Sequence, residues 1–317
     1  MPSSSRRAVA ALLLALALGG RARAQPAQGF AVERFYPSSA GAGWLVMDDL
    51  DLHGGLGGAI GLTLGYAGDP LRVSDGSSRV AVVSDQAFAD VGAALTWRRF
   101  RFSLDLAMPL VILGQSGSVG GQDFAGPSLT PAQNPDVLSD ARLGADVRIA
   151  GRPGGPFRFG ASAQLFVPFG ERADYATDGT FRGMLRALFA GDVRRFTWAA
   201  QLGVHIRPLD DSPTPGSPKG SELLFGVAAG ARLPLGHGTT FVAVVGPELW
   251  GATAYRAFFA ANGTALDALF AGRLETTRGE RANVRIKLGV GAGLDPRFGA
   301  AAWRLVAGVE LFGRHRP

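Results

Sequence analysis

The sequence predicts an all-β fold: a closed antiparallel transmembrane β-barrel of about 12 strands, with roughly 10 to 14 possible. Apolar and polar residues alternate with period two along segments longer than the roughly five or six residues usual in soluble strands. Long and short connections follow each other between these segments, which is typical of outer-membrane barrels. Beyond the N-terminal region, no stretch has the roughly 18 consecutive apolar residues of a membrane helix. In lipid, a closed barrel is the other structure that satisfies every backbone group.

Residues 1–24 have the features of a signal peptide, which we expect to be cleaved after Ala24 during Sec-dependent export. A positively charged start is followed by an apolar run too short to span a membrane and by small residues before the cleavage site. The segment contains four arginines and no acidic residue, so its removal lowers the formal net charge from +6 to +2. Because this charge is small, no nucleic-acid partner is expected.

The rest of the chain divides into a leading segment and the barrel. Residues 25–55 are expected to form a periplasmic segment that leads into the first strand, and residues 56–317 the barrel. The alternation is clear in Phe100–Met108 (FRFSLDLAM), whose apolar side chains share one face and whose polar side chains share the other. The pattern recurs in twelve segments: 56–68, 80–97, 99–113, 138–150, 156–168, 182–192, 195–207, 221–234, 239–251, 264–275, 282–293 and 301–313.

The stretch ANVRIKLGVGAGL (Ala282–Leu294) indicates which face meets lipid. Arg285 and Lys287 alternate there with apolar residues. An Arg or Lys that faces lipid at mid-membrane costs about 2–4 kcal/mol, so the apolar rows should face lipid and the charged rows the lumen. The lumen-facing candidates are Arg101, Asp105, Arg142, Asp146, Arg148, Arg158, Arg186, His205, Arg207, Glu222, Arg232, Asp267, Arg273, Arg285, Lys287, Arg304 and Glu310.

Charges inside the barrel need partners. We therefore expect a network of ion pairs between strands, with Glu310 among the neighbours of Arg285. Aromatic residues near the strand ends suit the two membrane interfaces, where a ring lies at headgroup level. This set comprises Trp44, Trp97, Phe100, Phe157, Phe196, Trp198, Trp250, Trp303 and Phe312.

The stretch GFAVERFYPSSAGAGWLVMDDLDLHG (Gly29–Gly54) resembles the opening of OmpA-like outer-membrane proteins of the myxobacterial type. DGTFRG (Asp178–Gly183) and GPELWG (Gly246–Gly251) extend the resemblance over nearly all of the mature chain. It implies an outer-membrane barrel domain and no catalytic residues. Many such relatives carry a C-terminal peptidoglycan-binding domain, which this chain is expected to lack, since it stops soon after Phe312.

The sequence gives no sign of catalytic, metal or cofactor chemistry, and none is expected. The four histidines show no metal-ligand spacing, and no G-x-S-x-G motif occurs. MDDLDLH (Met47–His53) could attract a cation, but a strand entry with polar alternation is the preferred interpretation. An outer-membrane lipid-modifying enzyme would need a His and a Ser on the outer wall, whereas His205 lies between Val204 and Ile206 and should point inward.

Two functions remain: a narrow passive pore or transporter for small solutes, and a structural barrel with a closed lumen whose loops bind partners. A lipid-modifying enzyme is a remote third. Expected partners are the lipid bilayer with its lipopolysaccharide and, during insertion, the barrel assembly machinery; the oligomeric state stays open. The sequence also leaves open whether the polar loop Gly114–Val137 covers the mouth, folds inward or moves.

Overall fold

The computed structural model describes residues 25–26, 29–52, 55–132, 138–209, 220–236, 241–276, 282–295 and 299–313. The expected signal peptide lies outside the described residues. Within these ranges no helix has the length and apolar character needed to cross a membrane.

The described residues form a barrel of twelve strands, which confirms the predicted fold class. The strands are β1 (Leu56–Ser74), β2 (Arg79–Trp97), β3 (Phe100–Leu113), β4 (Ala141–Ala150), β5 (Arg158–Val167), β6 (Arg182–Val193), β7 (Phe196–Ile206), β8 (Glu222–Leu235), β9 (Phe241–Ala254), β10 (Thr264–Thr276), β11 (Asn283–Asp295) and β12 (Trp303–Phe312). Each strand pairs antiparallel with its neighbours in the chain. Strand β12 pairs antiparallel with β1, so the sheet closes and no edge is left for lipid.

The two ends of the barrel carry different connections. One end has short connections at 98–99, 151–157, 194–195, 236–240 and 277–282. The opposite end has longer connections at 114–140, 168–181, 207–221, 255–263 and 296–302, besides the turn 75–78. In outer-membrane barrels short turns face the periplasm, so we call these the periplasmic and the outer end.

The connection between β1 and β2 is shorter than the sequence suggested. The alternation predicted strands that end at 68 and start at 80, with a long loop between them. Strand β1 continues to Ser74 and β2 begins at Arg79, so four residues form a tight turn in which Asp75 accepts hydrogen bonds from Ser77 and Ser78. Two register irregularities accompany the extension beyond Gly68, and they explain why the strict alternation is lost there.

The outer wall of the barrel is apolar. On β11, Leu288 and Val290 are each 58% exposed, whereas Lys287 between Ile286 and Leu288 is only 3% exposed. The same arrangement recurs on the other strands, where exposed Leu, Val, Ile and Phe alternate with buried polar residues. This inverts the pattern of a soluble sheet. The closed sheet and its apolar exterior identify an outer-membrane β-barrel.

Some of the predicted interfacial aromatic residues lie elsewhere. Trp97, Phe100, Phe157, Phe196 and Trp303 are exposed on the outer wall, and Trp198 is half-buried. Trp44, Trp250 and Phe312, in contrast, are buried. The indole Nε1 of Trp250 donates to the backbone oxygen of Arg34 (3.2 Å), because residues N-terminal to the barrel occupy the space beside it. Alternation along one strand does not reveal such a neighbour.

An outward charge in the middle of β11 tests the lipid-facing surface. We expect Leu288→Arg to destabilise the barrel by about 2–4 kcal/mol because it places a cation in hydrocarbon. Leu294→Arg is the control: it is equally exposed but lies at the outer end of β11, where the cost falls to about 0–1 kcal/mol. Denaturant unfolding of protein refolded in vesicles measures both. Equal effects would contradict the assigned membrane position.

Candidate functional site in the barrel lumen

Residues 29–52, here called the lumen segment, cross the interior of the barrel. At the outer end, the backbone N–H of Ala31 donates to Asp178 in the connection 168–181 (2.8 Å). At the periplasmic end, Asp48 pairs with Arg101 near the start of β3. There the backbone oxygen of Asp49 accepts from Arg158 at the start of β5 (2.7 Å). The structure thus corrects the expected periplasmic location of this segment.

The lumen segment folds back on itself instead of extending as a strand. Ser38 N–H donates to the backbone oxygen of Leu45 (2.8 Å), and Asp49 N–H to that of Ala42 (2.9 Å). Gly43 has φ +100°, and a Cβ there would collide with the carboxylate of Asp49, so glycine is required at this turn. The fold widens the segment until it fills the lumen.

The carboxylate of Glu248 on β9 holds the middle of the lumen segment. It accepts hydrogen bonds from the backbone N–H groups of Leu45 (2.8 Å), Val46 (2.9 Å) and Met47 (3.2 Å). These buried donors have no strand neighbour, so a side chain must satisfy them. A charged acceptor forms stronger hydrogen bonds than a neutral one. Sequence alternation did not select Glu248, because it stands among apolar and glycine residues in GPELWG.

Ion pairs join the lumen segment to four strands of the wall. They link acidic and basic groups of the segment to β3, β8, β10 and β12. The pairs are Asp48–Arg101, Arg34–Glu222 (2.8 Å), Asp49–Arg273 (3.6 Å) and Glu33–Arg304 (3.0 Å). The Nζ of Lys287 also donates to the backbone oxygen of Trp44 (2.8 Å).

A second set of ion pairs does not involve the lumen segment. Arg285 stands directly between Glu275 and Glu310 in the strand register and contacts both carboxylates, at 2.8 and 2.7 Å. This confirms the expected pairing of Arg285 with Glu310. Lys287 contacts Glu310 as well (2.5 Å). Further pairs are Arg101–Asp146 (2.7 Å), Arg142–Asp105 (3.3 Å) and Arg207–Glu222 (3.0 Å).

Apolar contacts supplement the polar ones in the middle of the lumen. The segment contributes Phe35, Trp44, Leu45, Val46, Met47 and Leu50 to a buried cluster. The wall contributes Phe88, Leu188, Ala190, Ala199, Ala228, Val242, Val244, Trp250, Leu269, Ala271 and Val306. Full burial of a large apolar side chain stabilises by about 1.5–3 kcal/mol, so these contacts hold the segment strongly.

The outer mouth is covered by the connections above it. Val119, Phe124 and Leu129 of the connection 114–140 pack in one cluster with Phe30 and Tyr175. Residues 114–132, the described part of the loop whose position the sequence left open, therefore cover the mouth. Burial raises the pKa of Tyr175 to about 12.

Asp178 holds the outer end of the lumen segment in place. Its carboxylate accepts from Arg207 Nη2 (2.6 Å) and Nε (2.7 Å) besides the N–H of Ala31. Burial alone would raise the pKa of Asp178, but the Arg207 guanidinium outweighs it and holds that pKa well below its usual range. Asp178 is therefore ionised near neutral pH and acts as a charged acceptor.

The space that remains beside the lumen segment is small. Cavities of about 70, 40 and 20 Å³ border it. A water needs roughly 10–15 Å³ by this measure, so the largest cavity holds only a few waters. These three cavities, which described residues line, are too small for solutes much larger than water.

The structure gives each predicted lumen residue a definite place. Arg186, Arg232 and Arg273 are half-buried, and the other fourteen candidates are buried. Arg186 contacts Gln201 and Ser162, and Arg232 approaches Asp192 (3.9 Å) near the periplasmic end. Sequence reasoning missed Glu33, Arg34, Asp48, Asp49, Asp178, Glu248 and Glu275. The sequence contained one signal for the missing acids. The predicted lumen-facing set holds more than twice as many basic as acidic residues, which indicates that further acidic residues line the lumen.

The catalytic alternative finds no geometric support at its key residue. His205 is buried inside the barrel against Tyr36 and Phe166, with ring centroids 5.6 and 5.3 Å away, and does not reach the outer wall. Across the described ranges, no group of three or more His, Cys, Asp or Glu side chains is arranged to hold a metal ion.

Comparison with known proteins finds similarity only to solved structures. No family model matches the chain, and no curated protein does. An outer-membrane channel from Pseudomonas putida F1 is 12% identical, with a TM-score of 0.49 over 81% of this chain and 95% of that chain. The NanC porin is 6% identical (TM-score 0.46; 80% and 98%), and the CymD monoaromatic hydrocarbon channel 10% (TM-score 0.39; 84% and 91%). Likeness at this level says nothing about what this barrel transports or binds.

Glu248→Gln tests whether the Glu248 carboxylate holds the lumen segment in place. The amide offers one oxygen and turns its NH₂ towards N–H donors, and a buried donor left unsatisfied costs about 1–3 kcal/mol. We expect faster hydrogen exchange at the amides of residues 45–47. Glu275→Gln is the matched control, because Glu275 pairs with Arg285 within the wall and should leave those amides unchanged. Unchanged exchange in Glu248→Gln would show that other contacts hold the segment.

Proposed function

We propose that the protein is a channel for small solutes that the lumen segment closes in the present state. The observation that carries this proposal is that much of the wall satisfies its own charges. Arg285, Lys287, Glu275 and Glu310 contact one another, and these contacts do not depend on the segment. If the segment leaves, the lining therefore keeps paired charges that water can also solvate.

The size of the barrel supports the same proposal. Eight-stranded barrels are filled by their own side chains, whereas barrels of about 16–18 strands leave an aqueous channel. Twelve strands lie between these limits. Here the wall needs an additional folded segment to fill it, and small residues such as Gly226 and Gly289 face Met47 and Leu45 of that segment. Where the folded segment unpacks from the wall, this space becomes a narrow passage with a charged lining.

A second candidate is a structural barrel whose lumen stays closed and whose outer loops bind partners. The apolar cluster favours it, since departure of the segment would expose Phe88, Trp250 and Leu269 to water. The strand register adds a further argument. Arg273 and Lys287 are direct neighbours of like charge, and the segment offers Asp49 to one and the backbone oxygen of Trp44 to the other.

The remaining expectations from the sequence stay proposals. We propose kinship with OmpA-like proteins of the myxobacterial type on the strength of the opening stretch Gly29–Gly54. Contacts with lipopolysaccharide and with the barrel assembly machinery suit an outer-membrane protein. A lipid-modifying enzyme is not proposed, because His205 lies inside the barrel.

A disulfide between the lumen segment and the wall tests whether the segment acts as a gate. A Cβ built on Gly61 of β1 would lie 3.6 Å from the Cβ of Ala40, within the range of about 3.5–4.5 Å that a disulfide needs. The chain has no cysteine, so the pair Ala40→Cys/Gly61→Cys forms one defined bond. In planar bilayers we expect conductance steps from the reduced protein and none from the oxidised protein.

Two controls make this experiment decisive. Ala40→Cys alone should conduct alike under both redox conditions. A reduced double variant and a wild type that both stay silent under applied voltage, while gel mobility shows folded barrels, would favour the permanently closed barrel. Equal conductance in the oxidised and reduced double variants would exclude the segment as the gate.

The wall charges near the periplasmic end should set ion selectivity in the open state. Replacing both Arg285 and Lys287 by Gln leaves Glu275 and Glu310 uncompensated, so we expect the reversal potential in a salt gradient to shift towards cation selectivity. The double variant Glu275→Gln/Glu310→Gln should shift it in the opposite direction. No shift in either variant would mean that ions do not pass this cluster.

A further inference from the structure

The lumen segment runs from the outer end of the barrel to the periplasmic end. Its first residues lie at the outer end. Phe30 packs edge-on against Tyr175 (5.9 Å between ring centroids), and the N–H of Val32 donates to the backbone oxygen of Tyr175 (3.1 Å). The backbone oxygen of Gly29 accepts from Arg172 Nε (2.7 Å). Both partners belong to the connection 168–181, above the mouth of the barrel.

The last residues of the segment lie at the opposite end. Leu50 reaches the backbone near Gly160 on β5, two residues after the periplasmic start of that strand. Strand β1 then begins at Leu56 and runs back to the outer end, where it turns after Ser74. The lumen segment and β1 are thus two antiparallel arms of one hairpin, with one arm inside the barrel and the other in its wall.

Two described residues that precede the lumen segment also lie on the outer side. The backbone of Gln25–Pro26 pairs in parallel with Gln122–Asp123, which belongs to the connection 114–140 above the mouth. This pairing and the contacts of Gly29 are independent observations, and both place the start of the described chain beyond the outer end of the wall.

Barrel closure provides a simple route to this arrangement. A free end rarely threads through a closed structure. The last pairing that closes the sheet joins β12 to β1, so a segment already packed beside β1 is enclosed when the two strands meet. On this route its N-terminal end would reach the outer face together with the hairpin turn of β1 and β2.

We propose that Gln25 and Pro26 are displayed on the outer surface of the cell, and that the contacts at the outer end of the lumen segment are the ones that open. The contacts that hold its first residues, Ala31 with Asp178 and Arg207 and Arg34 with Glu222, all lie at the outer end. Withdrawal towards the periplasm would drag the end of the chain through the whole lumen. The display follows from the fold alone, whereas the opening rests on the proposed channel function.

Thiol labelling of intact cells tests the display. The chain has no cysteine, so Gln25→Cys introduces a single thiol. The probe is a maleimide linked to a polymer too large to cross the outer membrane. Ser116→Cys in the connection 114–140 marks the outer side, and Arg152→Cys in a periplasmic turn marks the inner side; both residues are exposed. We expect the thiol at position 25 to label on intact cells, as at position 116, and the thiol at position 152 only after permeabilisation.

The outcomes separate this inference from the channel proposal. Labelling at position 25 only after permeabilisation, with the two markers behaving as stated, would overturn the display. Single-channel recording of Gln25→Cys then tests the opening. Polymer attached to that thiol from the outer side should change the open probability several-fold, while polymer attached to Arg152→Cys should not. Labelling on intact cells without conductance in any variant would uphold the display and reject the channel.

Discussion

Every charge that this barrel turns away from lipid must find a partner inside, and the rest of the structure depends on that constraint. The wall meets part of the demand itself, where the strand register sets Arg285 between Glu275 and Glu310. The wall cannot pair all of its inward charges by itself, because basic residues outnumber acidic residues along its inward-facing rows. The lumen segment provides additional carboxylates and backbone oxygens, and in return Glu248 satisfies three of its N–H groups. Wall and segment therefore complete one electrostatic system.

The polar and apolar contacts of the lumen segment differ in how readily water replaces them. Polar contacts can be exchanged for water at modest net cost, since a hydrogen bond in a folded protein contributes about 0.5–1.5 kcal/mol. Apolar contacts around Trp44 and Met47 cannot be exchanged in this way, because water does not replace them. The balance between these two terms decides whether the barrel opens. Apolar packing around the segment produces the closed state, in which the cavities described beside the segment are small.

The two ends of the lumen segment are held in different ways. At the periplasmic end it continues directly into β1, so it has no freedom to leave there without unfolding a strand. At the outer end it is held by side chains of the connections, Asp178 and Tyr175 among them. Connections generally open at lower free energy than core strands. Movement of the segment should therefore begin at the outer end, with the periplasmic end as the fixed point.

Period-two alternation and the cost of a charge in lipid were enough to predict the all-β class, a barrel of about twelve strands, its apolar exterior and the inward direction of Arg285 and Lys287. One strand end differs from the prediction: β1 runs past residue 68 to Ser74, because its pairing with β2 continues there without a lipid-facing pattern. The sequence predicts a leading segment before the first strand, but not that its residues 29–52 lie in the lumen. MDDLDLH and GPELWG lie far apart in the chain, and only closure of the barrel brings Asp48, Asp49 and Glu248 into one interior. Alternation along a strand shows whether a side chain points to lipid or to the lumen. Only the tertiary structure shows which other residues fill that lumen.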